Sequence, residues 1–110
     1  MTSPSNIAAG CAAPDQSAPL PAGVDLTRET VVTGIVRTAE GEPVAGAYVR
    51  LLDSSGEFTA EVVSSPEGVF RFFAAPGTWT LRVLSRGGNG ELTVDATVGV
   101  NEVALSVAPA

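Results

Sequence analysis

From residue 30 onward the chain alternates between hydrophobic and polar residues in short runs. Clusters of Gly, Pro, Ser and Asn separate these runs at roughly every 8 to 12 positions. A period of two, β-branched residues and frequent turns are typical of strands that pack as a sandwich. We predict no helix and seven strands, at residues 30–37, 47–53, 57–64, 69–73, 78–85, 91–98 and 102–107. The expected fold class is an all-β sandwich.

The alternation also assigns side chains to the two faces of each strand. Four apolar rows are expected to point inward: Ala47, Val49 and Leu51; Phe70 and Phe72; Trp79, Leu81 and Val83; and Val103, Leu105 and Val107. Three residues that alternate with these rows, Arg50, Arg71 and Arg82, are expected to point outward. For Phe58 and Phe73 we expect packing into the core at strand ends, whereas joint exposure would indicate a protein interface.

The outward arginines are candidates for binding an anion or an acidic partner. If Arg50, Arg71 and Arg82, together with Arg37, gather on one sheet face, their facing guanidinium groups would bind carboxylate or phosphate. We favour the alternative, cross-strand ion pairing, worth about a few tenths to 1 kcal/mol for each pair. The candidate acidic partners for such pairs are Asp53, Glu57 and Glu61.

The N-terminal part of the chain has a different composition. It is rich in Ala, Pro, Ser and Gly and has few large apolar side chains, so little burial compensates the entropy of ordering. We predict a flexible N-terminal tail over residues 1–26, which holds Cys11, and a sandwich domain over residues 27–110. A single cysteine cannot form a disulfide within the chain.

The net charge of −6, with six Arg, no Lys and twelve acidic residues, excludes some classes of function. Phosphate backbones and anionic membranes are bound by basic surfaces, so we expect neither nucleic acid nor a membrane as a partner. No apolar run reaches the roughly 20 residues of a membrane span, and the first residues do not resemble a secretory signal. We expect a cytoplasmic protein of undetermined oligomeric state.

Four stretches resemble the carboxypeptidase regulatory-like, transthyretin-related sandwich, which is immunoglobulin-like in its layers. They are residues 33–36, EGEPVAGAYVRL at 40–51, EGVFRF at 67–72 and PGTWTL at 76–81. The resemblance implies two packed sheets with tight glycine turns. It implies little about function, because this fold supports many activities.

A second resemblance extends from Cys11 onward, to the SseC family of small actinobacterial proteins of unknown function. It is carried by VRLLDSSGEFTAEVV at 49–63 and FRFFAAPGTWTLR at 70–82, with residues 20–26 and 29–34. Members are encoded beside thiosulfate sulfurtransferases, so the resemblance implies a part in sulfur metabolism. It also implies a cysteine near the start of the chain, which Cys11 matches although it lies further in.

The residues offer little catalytic chemistry. Related folds include hydrolases that use histidines and dioxygenases that bind iron through His and Tyr, but this chain has no His and one Tyr, Tyr48. No ordinary zinc or iron site can be built without His or a cysteine pair. We therefore expect no enzyme, catalytic residue, metal or cofactor.

The leading hypothesis is an accessory protein that docks on a thiosulfate sulfurtransferase, with Cys11 as a candidate sulfur acceptor. Two alternatives stay open. One is a structural or interaction module with an inert cysteine, and the other is a module that binds a small anion or a carbohydrate.

Overall fold

A computed structural model of the chain describes Pro19 and residues 23–109. In this part of the chain there are seven strands and no helix, which confirms the predicted fold class. The strands are β1 (Thr30–Arg37), β2 (Tyr48–Leu52), β3 (Phe58–Val63), β4 (Val69–Ala74), β5 (Gly77–Ser85), β6 (Gly88–Ala96) and β7 (Gly99–Ser106).

The strands form two sheets. The three-stranded sheet has the order β4-β1-β7, with β1 and β4 antiparallel and β1 and β7 parallel. The four-stranded sheet has the order β3-β2-β5-β6 and is antiparallel throughout. The chain therefore crosses from one sheet to the other between β1 and β2, between β3 and β4, between β4 and β5, and between β6 and β7.

The core lies between the two sheets. It contains residues of all four predicted inward rows, together with Val32 and Val36 of β1, which those rows did not include. Val32, Val36, Phe70, Phe72 and Leu105 come from the three-stranded sheet, and Val49, Leu51, Leu81 and Val83 come from the four-stranded sheet. Each fully buried side chain of this size stabilises the fold by about 1.5–3 kcal/mol. Trp79 packs at the margin of this core, half-buried, and donates its indole N–H to the carbonyl of Ala75 at 2.8 Å.

The last two strands begin earlier than predicted. Residues 87–90 were predicted as a loop because of their glycines, but Gly88 and Gly90 lie inside β6, which leaves Arg86 and Gly87 as a two-residue turn. The reason is steric: a Cβ at Gly88 would collide with the carbonyl of Ala108, and one at Gly90 would collide with the carbonyl of Ser106. These glycines allow the C-terminal segment to pack against the start of β6.

The connection between β3 and β4 is held by two buried serines. The Ser64 hydroxyl accepts a hydrogen bond from the Ala47 amide at 2.8 Å and donates one to the Val44 carbonyl at 2.7 Å. The Ser65 hydroxyl accepts from the Val69 amide at 3.1 Å. These bonds satisfy backbone groups where the chain leaves one sheet for the other, and buried backbone groups without such partners are costly.

Candidate functional site

The outer face of the four-stranded sheet carries a row of four charged residues, one from each strand. In spatial order they are Glu61 on β3, Arg50 on β2, Arg82 on β5 and Glu91 on β6. Residues opposite each other on antiparallel strands point to the same face, so this charged row crosses the whole sheet. Its two arginines occupy the centre and its two glutamates occupy the edges.

Each arginine of the charged row is ion-paired toward the nearer edge. Arg50 Nε lies 2.7 Å from Glu61 Oε2, and Arg82 Nε lies 3.3 Å from Glu91 Oε1. The arginine side chains are 44% and 47% exposed, so solvent screens both pairs and each contributes at most about 1 kcal/mol. The pairs confirm the cross-strand alternative for these two arginines, with Glu61 as one of the predicted partners. Asp53 and Glu57 make no arginine ion pair in the described chain.

The ion pairs do not use up the guanidinium donors. Both bonds run through Nε–H, and among the described residues no acceptor is bonded to the Nη groups of Arg50 or Arg82. A guanidinium has five N–H donors, so each arginine keeps donors for a ligand. Two like charges opposite each other on neighbouring strands destabilise a sheet, and an anion bound between them would relieve that repulsion.

Apolar side chains lie beside the charged row. On one side Tyr48, Val63 and Leu84 form the next row, in which Tyr48 is half-exposed. A groove of about 500 Å³ runs along this row and is also lined by Arg86. On the other side Leu52 is paired with Phe58. Along β2 the face therefore reads apolar, cationic, apolar, with Leu52 buried, whereas on β5 the residue opposite Leu52 is Thr80.

The prediction that Phe58 and Phe73 pack into the core is wrong. Their exposed fractions are 61% and 50%. Phe58 opens edge strand β3, next to a bulge between Leu51 and Leu52. Phe73 follows Phe72, whose inward position forces its neighbour outward. They lie on different sheets, so they do not form one surface row.

The hypothesis that the arginines gather on one sheet face is wrong for two of them. Arg71 lies on β4 opposite Thr33, in the other sheet. Arg37 ends β1 and donates from Nη1 to the carbonyl of Gly41 at 3.0 Å. Alternation shows whether a side chain points inward or outward, but it does not show to which sheet its strand belongs.

Two site features were missed from the sequence. Glu91 was not considered as a partner of Arg82, and Tyr48 with Leu84 was not considered as a surface row. The first of these could have been found from Arg86-Gly87. A two-residue turn at these positions pairs Ser85 with Gly88, and continuing the pairing away from the turn pairs Arg82 with Glu91.

Cys11, the candidate sulfur acceptor, and most of the predicted tail over residues 1–26 lie outside the described residues. Within the described residues, no group of three or more acidic or cysteine side chains is placed to hold a metal ion. No helix there is long and apolar enough to cross a membrane.

Two carboxylates outside the charged row fix turns. Asp53 accepts hydrogen bonds through Oδ1 from the Ser55 hydroxyl and from the amides of Ser55 and Glu57. The Ser55 hydroxyl, and then the Glu57 amide, hold the pKa of Asp53 below its ordinary value. Asp25 has its pKa lowered in the same way by the hydroxyl and amide of Thr27. Asp25 is exposed and Asp53 is half-buried, and both carboxylates bind the backbone of their own turns.

Residues 11–107 match the family described as "Protein of unknown function (DUF1416)". The chain belongs to the DUF1416 family. It is 57% identical over 98 residues to the uncharacterized protein Rv0814c of Mycobacterium tuberculosis, covering 88% of this chain and 98% of that protein. It is 62% identical over 90 residues to an uncharacterized protein of Mycolicibacterium smegmatis, covering 81% and 100%.

Among solved structures, this DUF1416 protein is similar to 5-hydroxyisourate hydrolase of Klebsiella pneumoniae. The TM-score is 0.55 at 20% identity, over 73% of this chain and 91% of that chain. The likeness confirms the transthyretin-like sandwich. At this identity it concerns the fold alone.

Proposed function

We propose that this DUF1416 protein is a non-catalytic interaction module that docks a partner protein on the outer face of its four-stranded sheet. The observation that carries the proposal is the position of Arg50 and Arg82, which lie opposite each other at the centre of that face, beside the apolar pair of Tyr48 and Leu84. If the charged row were only a set of solvated ion pairs, nothing would require Tyr48 and Phe58 to be exposed beside it.

The charged row defines the chemistry of the docked segment. A single carboxylate placed over Arg50 and Arg82 gains charge-assisted hydrogen bonds, but further acids displaced toward the sheet edges would meet Glu61 or Glu91. The face therefore suits an extended segment that carries one acidic residue between apolar residues. At physiological ionic strength the Debye length is about 8 Å, so such a segment senses these local charges more than the net charge of −6.

The resemblance to the SseC family supports a finer proposal for the partner. We propose that the partner is a thiosulfate sulfurtransferase and that Cys11 accepts sulfur from it. The Cys11 thiolate would attack the outer sulfur of the enzyme's persulfide, so that a new S–S bond forms on Cys11 and the enzyme's cysteine leaves as a thiolate. Docking through the sandwich would bring the two sulfurs together.

A module with an inert cysteine is the alternative that the same face supports. The test of the finer proposal is intact-mass measurement of the full chain after incubation with thiosulfate and a purified thiosulfate sulfurtransferase. We expect a gain of one sulfur atom that is absent in Cys11→Ser. No adduct under turnover conditions would remove the carrier role and leave the interaction module.

The docking proposal is tested separately, by calorimetric titration of Cys11→Ser with the same sulfurtransferase. We expect binding that is lost in Arg50→Ala with Arg82→Ala and retained in Arg28→Ala, where an exposed arginine outside the strands is removed. Equal binding by both arginine variants would show that the face is not the docking site.

A further inference from the structure

Strand β3 forms one edge of the four-stranded sheet, and that edge is open. Four of its six residues are exposed: Phe58, Thr59, Glu61 and Val63. Its inward-facing Ala60 and Val62 are only half-buried, whereas Val49, opposite Val62 on β2, is fully buried. Among the described residues no strand lies beyond β3, so its second side is free to pair.

The direction of one hydrogen bond shows which backbone groups of β3 are free. The Ser64 amide, one residue past the strand, donates to the Ala47 carbonyl at 2.9 Å and therefore points toward β2. Backbone groups of successive residues point to opposite sides of a strand. Those of Val62 thus bond β2, while those of Glu61 and Val63 point away from it. The N–H and C=O of these two residues are a template for another strand.

We propose that the free edge of β3 binds an extended segment of another protein, antiparallel, with an arginine or lysine opposite Glu61. Arg50 Nε donates to Oε2 of Glu61 at 2.7 Å, and within the described chain nothing donates to Oε1. A carboxylate accepts several hydrogen bonds, so Glu61 has room for a second cation on the side away from Arg50. This site takes a basic residue and is separate from the centre of the outer face, which takes an acidic one.

The neighbours of the basic residue are specified in the same way. The position opposite Val63 continues the row of Tyr48 and Val63 on the outer face, where an apolar side chain would cover Val63, which is 36% exposed. The position opposite Val62 faces inward and would complete the burial of that side chain. The segment that fits therefore has two apolar residues, β-branched to favour an extended backbone, immediately before its basic residue.

A second copy of this chain fits the edge less well, because β3 contains no basic residue. Antiparallel pairing of two β3 strands about residue 60, 61 or 62 places Glu61 against Thr59, Glu61 or Val63 of the copy. None of these supplies a cation, and the second sets two carboxylates against each other. A basic segment is also attracted by the net charge of −6.

The test is amide hydrogen exchange, measured by NMR on the isotopically labelled full chain with a short end-blocked peptide in which two valines precede a central arginine. At about ten times the Kd, exchange of the Glu61 and Val63 amides should slow roughly tenfold, because only the free protein exposes them. The amides of Ala60 and Val62, which already bond β2, should change little. A peptide with glutamate in place of arginine is the control and should bind roughly tenfold more weakly.

Two substitutions at Val63 separate the backbone from the side chain. Val63→Pro removes an outward N–H that bonds nothing in the described chain, and proline is tolerated on such an edge, so the fold should be kept. Val63→Ala removes apolar side-chain atoms but keeps the N–H. We expect Val63→Pro to bind the arginine peptide roughly tenfold more weakly than Val63→Ala. Circular dichroism checks that both variants are folded.

Glu61→Arg should reverse the preference, so that the glutamate peptide binds more tightly than the arginine peptide. Glu102→Arg, which reverses an exposed charge on β7 of the other sheet, is the control and should keep the natural preference. Equal binding of both peptides, protection of other amides, or equal binding by the two Val63 variants would overturn the proposal. Self-association that protects the Glu61 and Val63 amides would assign the edge to a second copy and overturn it as well.

Discussion

Arg50 and Arg82 lie directly opposite each other on neighbouring antiparallel strands, and each is ion-paired on its far side, to Glu61 at 2.7 Å and to Glu91 at 3.3 Å. The sheet thus has two positive charges at its centre, and the glutamates that neutralise them lie on its edge strands. This arrangement contributes little to folding. It gives the outer face a positive centre in a protein whose net charge is −6.

Neutralising one central arginine should scarcely change stability. In Arg82→Gln, the loss of a screened ion pair with Glu91 is offset by relief of the repulsion from Arg50. We expect the free energy of unfolding, measured by urea denaturation, to change by less than about 1 kcal/mol. A loss above about 2 kcal/mol would show that the charged row holds the sheet together.

Removal of the Ser64 hydroxyl should destabilise the fold far more. Ser64→Ala leaves the buried amide of Ala47 without its acceptor and the carbonyl of Val44 without its donor. We expect a loss of about 1–3 kcal/mol in the free energy of unfolding. Ser54→Ala, in the exposed turn before β3, is the matched control and should be nearly neutral. Equal effects would contradict the structural role given to Ser64.

Gly34 should not tolerate a side chain. A Cβ there would collide with the carbonyl oxygen of Val103 and lie 3.1 Å from the ring of Phe70, in the middle of β1. Gly34→Ala is expected to cost about 1–3 kcal/mol or more. Gly87→Ala, where nothing lies within 4 Å, should change stability by less than about 0.5 kcal/mol. Thermal unfolding of the two variants distinguishes them.

Asp53 should make stability depend on pH in acid. The Ser55 hydroxyl and the Glu57 amide hold the pKa of Asp53 below its ordinary value in the folded state. Its stabilisation is therefore complete above the unfolded-state pKa of about 3.9 and is lost as pH falls through the lower folded-state pKa. We expect Asp53→Asn to be less stable than the natural protein at neutral pH, with the difference shrinking below about pH 4. A difference that stays constant across this range would exclude the carboxylate as its cause.

Much of the fold could be predicted from the alternation of residue types. All seven strands were placed, because inward rows such as Val49 and Leu51 repeat with a period of two. Register and sheet membership could not be predicted in this way. Arg71 and Arg82 have the same pattern along the chain, but β4 pairs with β1 and β5 pairs with β2. The candidate site therefore contains only part of the arginine group predicted from the sequence.

Glycines caused the errors in strand limits. In the sequence, Gly88 and Gly90 indicate a turn. In the structure they lie in a strand, where the absence of a Cβ allows the backbones of Ala108 and Ser106 to approach closely. Close approach of distant segments leaves no local mark that separates such a glycine from one in a turn. The pairing of Arg82 with Glu91 depended on that distinction.

Binding of a carboxylate flanked by apolar side chains to the outer face of the four-stranded sheet can be measured by NMR. The isotopically labelled full chain is titrated with an end-blocked peptide that has one glutamate among leucines. We expect amide shifts confined to β2 and β5 around Tyr48, Arg50 and Arg82. They should weaken with added salt and disappear in Arg50→Ala with Arg82→Ala. The peptide with glutamine in place of glutamate should give no such shifts. Shifts centred elsewhere, or equal shifts with both peptides, would show that this face does not bind the carboxylate.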